Sequence, residues 1–236
     1  MTTNTTIPPL HGSSDAAGSI PAYVARPSGD PRGAIIVIQE IFGVNPGIVQ
    51  KCDDWAAKGY LAVAPDVFWR QKPGVELDSD IPEQFQEGVG YMMKHDFDLG
   101  IQDVEATVHW IRREAGVSKV GLVGFCMGGK IAYMAAARTD VDASVGYYGV
   151  GIDQMLNESH AIAKALLLHI PTADGFVSPD AQKAMHEGLD GNPHVTLYDY
   201  EGLDHGFAAE DGVRRNDAAA ELADKRTAEF FAQHVG

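Results

Sequence analysis

The sequence predicts an α/β architecture, a mostly parallel sheet with helices on both faces. Two observations carry this. Short apolar runs rich in branched residues alternate with helix-like stretches, as in a chain that lays down parallel strands joined by helical crossovers. Most of the runs are apolar at successive rather than alternate positions, as strands covered on both faces require. The 236 residues suffice for one substantial core, so a single domain over residues 1–236 without a large cap is expected.

Strands are expected over residues 33–39, 60–64, 120–125, 144–148, 165–170 and 194–200. Helices are expected over 48–58 and 103–115. In the second, Val104, Val108 and Ile111 share a face and Asp103 serves near the N-terminus. The alanine-rich run 130–138 reads as a buried helix. Residues 179–189, with Pro179 suited to a first turn, and 216–234 complete the helices. The stretch 66–99, interrupted by prolines and glycines, is expected to be an irregular loop, and loops that long tend to bind substrate.

Composition excludes several function classes. A formal net charge of -15 repels phosphate backbones and anionic lipids, so neither nucleic acid nor a membrane surface is an expected partner. No apolar run approaches bilayer length, and the polar N-terminus lacks the charged-then-apolar order of a secretory signal. Two cysteines cannot build a disulfide framework. The chain is expected to be cytoplasmic, and no sequence feature fixes its oligomeric state.

One of those cysteines carries the chemistry. Gly124-Phe125-Cys126-Met127-Gly128 has the form G-x-C-x-G, the nucleophile elbow of α/β-hydrolases with cysteine in place of serine. The flanking glycines let strand and helix approach closely around a strained turn. The Met127 N–H then points from the helix N-terminus toward a developing oxyanion. The bland alternative is an inert cysteine in a glycine-rich turn. A dinucleotide fingerprint fits poorly, because Gly121, Gly124, Gly128 and Gly129 contain no G-x-G pair.

Downstream partners follow in the order nucleophile, acid, histidine. Asp174-Gly175 lies just past the run ALLLHI, at the carboxyl edge of the expected sheet. His205 sits past the next strand in a glycine-bracketed loop. As rival acids, Asp180 is placed to open a helix and Asp204 is too close in sequence to His205. Asp174 by itself reads more readily as a turn residue, Asp-Gly being a common turn pair. His169, inside an apolar strand, reads as a satisfied core histidine. His186-Glu187 does not continue as a zinc motif, and neither metal nor cofactor is expected. Glu40, closing the first strong strand, is costly to bury unpaired. It reads either as a solvated strand end or as a carboxylate pointing into the site of Cys126, with the Ile41 N–H as second oxyanion donor.

Together QEIFGV, APDVFWRQKPG, GFCMGG, ADGFVSP and DHGF resemble the dienelactone hydrolase (carboxymethylenebutenolidase) family of small α/β-hydrolases, in the right order from about residue 34 to 207. The resemblance implies a monomer with an α/β-hydrolase fold, Cys126 as nucleophile, His205 as base and Asp174 as its orienting acid. It implies Glu40 as an extra carboxylate that keeps the resting thiol protonated and takes its proton when substrate enters. The reaction implied is hydrolysis of an enol lactone or activated ester, since a thiolate is acylated readily when the leaving group is good.

The chain departs from the family where family members bind the dienelactone carboxylate with two arginines. Four residues past His205 stands Ala209, and residues 82–98 offer Lys94 but no arginine. Lys94 would be a weaker point-charge substitute. Arg214 and Arg215 either reach into the site or, as their placement before a helix favours, stand as solvated charges. Phe68, Trp69, Phe85, Tyr91, Met92 and Phe207 are candidates to line an apolar pocket. The competing functional reading is an idle α/β-hydrolase that binds a ligand or partner; the complete set of four site residues argues against it.

Overall fold

A computed structural model describes residues 2–10, 18–210 and 212–236. Part of the polar N-terminal stretch, residues 11–17, therefore lies outside the described residues.

One eight-stranded sheet runs through the molecule in the order β1-β2-β4-β3-β5-β6-β7-β8. Strands β3 (Ala34–Ile38), β4 (Leu61–Pro65), β5 (Val120–Phe125), β6 (Ala143–Tyr147), β7 (Ala165–Pro171) and β8 (Val195–Tyr200) are mutually parallel. Two strands not expected from sequence, β1 (Thr5–Ile7) and β2 (Ile20–Ala25), add an antiparallel edge. They escaped notice because β1 has three residues and β2 carries a proline, which is tolerated near a sheet margin but spoils the apolar pattern.

The successive apolar residues of the central strands have the predicted cause, since β3, β4, β5 and β6 are buried along their whole length. Ile36 and Ile38 pack on one face with α3 (Phe97–Ala115), α4 (Met127–Arg138) and α5 (Pro179–Leu189). Ile35 and Val37 pack on the other with α1 (Pro46–Ala57) and α6 (Asp217–His234). His169 sits buried under this second layer, its ring nitrogens 2.7 Å from the Tyr200 hydroxyl and 2.9 Å from that of Thr227.

Two expectations need correction. Helix α3 begins at Phe97, capped by the Asp96 side chain, which accepts from the N–H groups of Asp98 and Leu99. Asp103 instead lies inside the helix, buried and ion-paired with Arg70. The stretch expected to be irregular contains a helix, α2 (Pro82–Met93). Gly88 and Gly90 weaken its helical propensity. Yet Gly88 is required, because a Cβ there would stand 2.6 Å from the Ile41 carbonyl oxygen. The apolar spacing Phe85, Val89, Met92 was the signal for this helix, and that face looks toward the carboxyl ends of the central strands.

Candidate active site

Strand β5 runs into α4 with no residue to spare, and Cys126 forms the corner. Its φ of 55° and ψ of -114° lie where side-chain-bearing residues are rarely found. The corner exists because its neighbours are glycines. A Cβ on Gly124 would stand 1.9 Å from the Gly128 carbonyl oxygen, and one on Gly128 would stand 2.6 Å from the carbonyl oxygens of Ile38 and Gln39. The helix N-terminus is thus driven against the ends of β3 and β5, and the thiol stays partly exposed while its surroundings are buried.

The loops after β7 and β8 bring Asp174 and His205 together. Asp174 Oδ2 accepts from His205 Nδ1 at 2.9 Å, while Oδ1 accepts from the N–H groups of Phe176 at 2.7 Å and Val177 at 3.2 Å. Both residues are buried. With Nδ1 donating to the carboxylate, Nε2 is left for the thiol of Cys126, which lines the same cavity as His205. Burial alone would lower the His205 pKa. Interaction with Cys126 and the Asp174 hydrogen bond outweigh it and raise the value to about 10. Asp204, the rival acid, has another task, because its Oδ1 accepts from the N–H groups of Gly175 at 2.9 Å and of His205 at 2.7 Å.

Glu40 closes β3 beside this pair and lines the same cavity as Cys126 and His205. Enclosure by protein pushes its carboxyl pKa up, while the His205, Lys51 and Arg214 cations and the Tyr148 hydroxyl pull it back. Among the described residues, neither the Ile41 nor the Met127 N–H donates to another protein group, so both are available to an incoming oxygen.

The cavity over Cys126 measures about 220 Å³ and is mainly apolar, walled by Phe42, Val150 and Phe176 and by the Phe85, Val89 and Met92 face of α2. Of the residues proposed to line it, Phe85 and Met92 do so. Phe68, Tyr91, Lys94 and Phe207 do not. Phe68 is fully buried against Tyr91, and the Phe207 ring is buried with its centroid 4.7 Å from that of Tyr200. Tyr91 and Lys94 fall on the opposite side of α2 from Phe85, where the Tyr91 hydroxyl reaches Glu87. Trp69 likewise turns away, its indole donating to Asp103.

Arg214 reverses its expected role. It lines the cavity with its guanidinium carbon 5.3 Å from the Phe176 ring and 5.9 Å from the Phe85 ring, and makes no ion pair among the described residues. Arg215 instead ties the loop down, donating to the Ala209 carbonyl and pairing with Asp217. Lys51 and Tyr148 were missed altogether. Lys51 lies inside α1 and reads in sequence as one more surface lysine. Tyr148 was counted only as the end of a strand, and nothing local announces its φ of 39°.

The dienelactone hydrolase family model matches residues 20–235. The chain belongs to the dienelactone hydrolase family. It is 43% identical over 222 residues, 93% of this chain and 95% of the other, to an Azospirillum brasilense protein assigned as a carboxymethylenebutenolidase. Carboxymethylenebutenolidase of Pseudomonas putida is 35% identical over 212 residues, 89% of this chain and 90% of its own. Among solved structures, a Klebsiella pneumoniae protein assigned to the dienelactone hydrolases superposes with a TM-score of 0.84 at 28% identity, covering 98% and 97% of the two chains. The fold is that of the α/β-hydrolases, and the protein is a hydrolase of the carboxylic ester and lactone class.

Proposed function

We infer that this family member is a thiol hydrolase of enol lactones and activated esters, with Cys126 as nucleophile, His205 as base, Asp174 as the group orienting it, and Glu40 as an accessory carboxylate. The observation that carries the reading is the hydrogen-bonded Asp174–His205 pair set beside Cys126 in one apolar cavity. Cys126 Sγ adds to the substrate carbonyl carbon and its proton passes to Glu40. The Ile41 and Met127 N–H groups hold the oxyanion. The enolate oxygen departs with its electron pair and takes the proton from Glu40, leaving a thioester. Water then adds to the acyl carbon, giving a proton to His205 Nε2, and the C–S bond breaks as Sγ recovers that proton.

Arg214 gives the cavity a cation that makes no ion pair among the described residues, so a substrate with a carboxylate beyond its lactone ring is favoured over a neutral one. This is a different residue from those implied by resemblance, since Ala209 occupies the family's arginine position and Lys94 is remote. The test is ultraviolet-monitored turnover of dienelactone and of a neutral aryl ester by the wild type and by Cys126→Ala. Both reactions are expected to fall by at least about a thousandfold in the variant. Retention of turnover without the thiol would remove Cys126 from the chemistry.

A further inference from the structure

Glu40 is a wall shared by two cavities. On one side is the apolar cavity over Cys126; on the other is a polar chamber of about 470 Å³. The chamber is lined by groups that hold water, among them Asn45, Lys51, Asp78, Gln84 and Glu210. It is far larger than the roughly 10–15 Å³ that one water needs, and its walls offer each water several partners. Tyr148 also lines it. That side chain is 1% exposed, and its hydroxyl has no hydrogen-bond partner at normal length among the described residues. A buried hydroxyl without a protein partner calls for water. Tyr148 stands close to both Glu40 and Cys126, whose charges act on its phenol.

Lactone chemistry sets a problem that this chamber solves. When an open ester acylates Cys126, the leaving group diffuses away and vacates the apolar cavity. When a lactone does so, the leaving oxygen remains tethered to the acyl chain and stays with it in the cavity. Water must then reach the thioester from another side. We propose that the polar chamber behind Glu40 supplies the hydrolytic water for lactone substrates, which passes along the Glu40 carboxylate to the acyl carbon. The step rests on the thiol mechanism above and balances with it. The water oxygen bonds to the acyl carbon and one proton goes to His205 Nε2. The C–S bond breaks, its electron pair stays on Sγ, and Sγ takes the proton back, giving a free acid and a thiol.

The experiment compares dihydrocoumarin, a lactone with a tethered phenolate, with phenyl acetate, whose phenolate leaves. Two chamber-filling variants, Gln84→Trp and Leu77→Trp, are read against Gln84→Ala, which loses the same side-chain hydrogen bond to the Asp78 N–H but leaves the chamber open. Turnover is measured together with the fraction of acid-quenched enzyme carrying an acyl group, by intact mass. Dihydrocoumarin turnover is expected to fall at least about tenfold in a filled variant, with acyl-enzyme accumulating, while phenyl acetate turnover and both activities of Gln84→Ala stay near wild type. Unchanged dihydrocoumarin turnover in correctly folded filled variants, or an equal loss on both substrates, overturns the proposal. Full activity of Cys126→Ala would instead overturn the thiol mechanism itself.

Discussion

Asp204 Oδ1 accepts from the Gly175 N–H at 2.9 Å while also accepting from the His205 N–H, so one carboxylate clamps the acid-bearing loop to the histidine-bearing loop. The clamp sets the 2.9 Å contact between Asp174 and His205. Asp204 touches no substrate and is a positioning residue. Asp204→Ala is expected to lower kcat by roughly ten- to a hundredfold with little change in KM, as a slight misplacement of a catalytic base does. Asp204→Asn keeps an acceptor oxygen and should recover most of the loss. A KM effect without a kcat effect would show that the clamp does not act on the base.

The corner at Cys126 requires its glycines sterically. Gly124→Ala puts a Cβ 1.9 Å from a backbone oxygen that no side-chain motion can relieve. The variant should lose about 3 kcal/mol or more of stability, read from urea denaturation. Gly90→Ala, where a Cβ meets nothing within 4 Å in the middle of α2, should be neutral or stabilising and serves as the control.

Glu40 is expected to trade stability for function. Its folded pKa lies above the ordinary carboxylate value, so the folded state binds the proton more tightly than the unfolded chain. Stability from this group is therefore present at low pH and is lost as pH rises through the folded pKa. Glu40→Gln removes that loss. The variant should melt higher than wild type at neutral pH, lose this advantage toward pH 4, and turn over far more slowly. Lower stability at neutral pH together with unchanged turnover would remove Glu40 from the account.

His205 has the same sign over a different range. Its pKa is raised to about 10, so the stability it contributes is complete below its unfolded value near 6.5 and declines as pH rises toward 10. Comparing the pH dependence of unfolding in wild type and His205→Gln should show this decline only in the wild type. Parallel curves would mean that the imidazole is not paired as described.

Arg214→Gln should raise KM for a carboxylate-bearing lactone by about ten- to a hundredfold, the worth of a charge-assisted hydrogen bond, and leave KM for a neutral aryl ester unchanged. Steady-state kinetics on the two substrates separate the cases. Equal effects on both would assign Arg214 to packing against Phe85 and Phe176 alone.

The grouping of Cys126, Asp174 and His205 was more legible in the sequence than the pocket wall, for a physical reason. An elbow at Cys126, an acid after β7 and a histidine after β8 are fixed by strand order and by glycines whose steric role is local. The pocket wall depends on which face of α2 turns inward and on where a loop after His205 folds back. Phe68 and Phe207 are aromatic residues near the right motifs, yet packing takes them into the core. Arg214, nine positions past the histidine, reaches the cavity only because Arg215 and Asn216 anchor the chain, Arg215 to the Ala209 carbonyl and the Asn216 N–H to that of Phe207. Tyr148 owes its place to tertiary packing around the end of β6, which no short motif records.

The central claim is that Cys126 is acylated during turnover. The most direct measurement is peptide mapping of enzyme quenched in acid during hydrolysis of phenyl acetate. The account predicts an acetyl group on Cys126 and none on Cys52, which is fully buried on the sheet-facing side of α1. Acetylation at any other residue, or hydrolysis at the wild-type rate by Cys126→Ala, would contradict it.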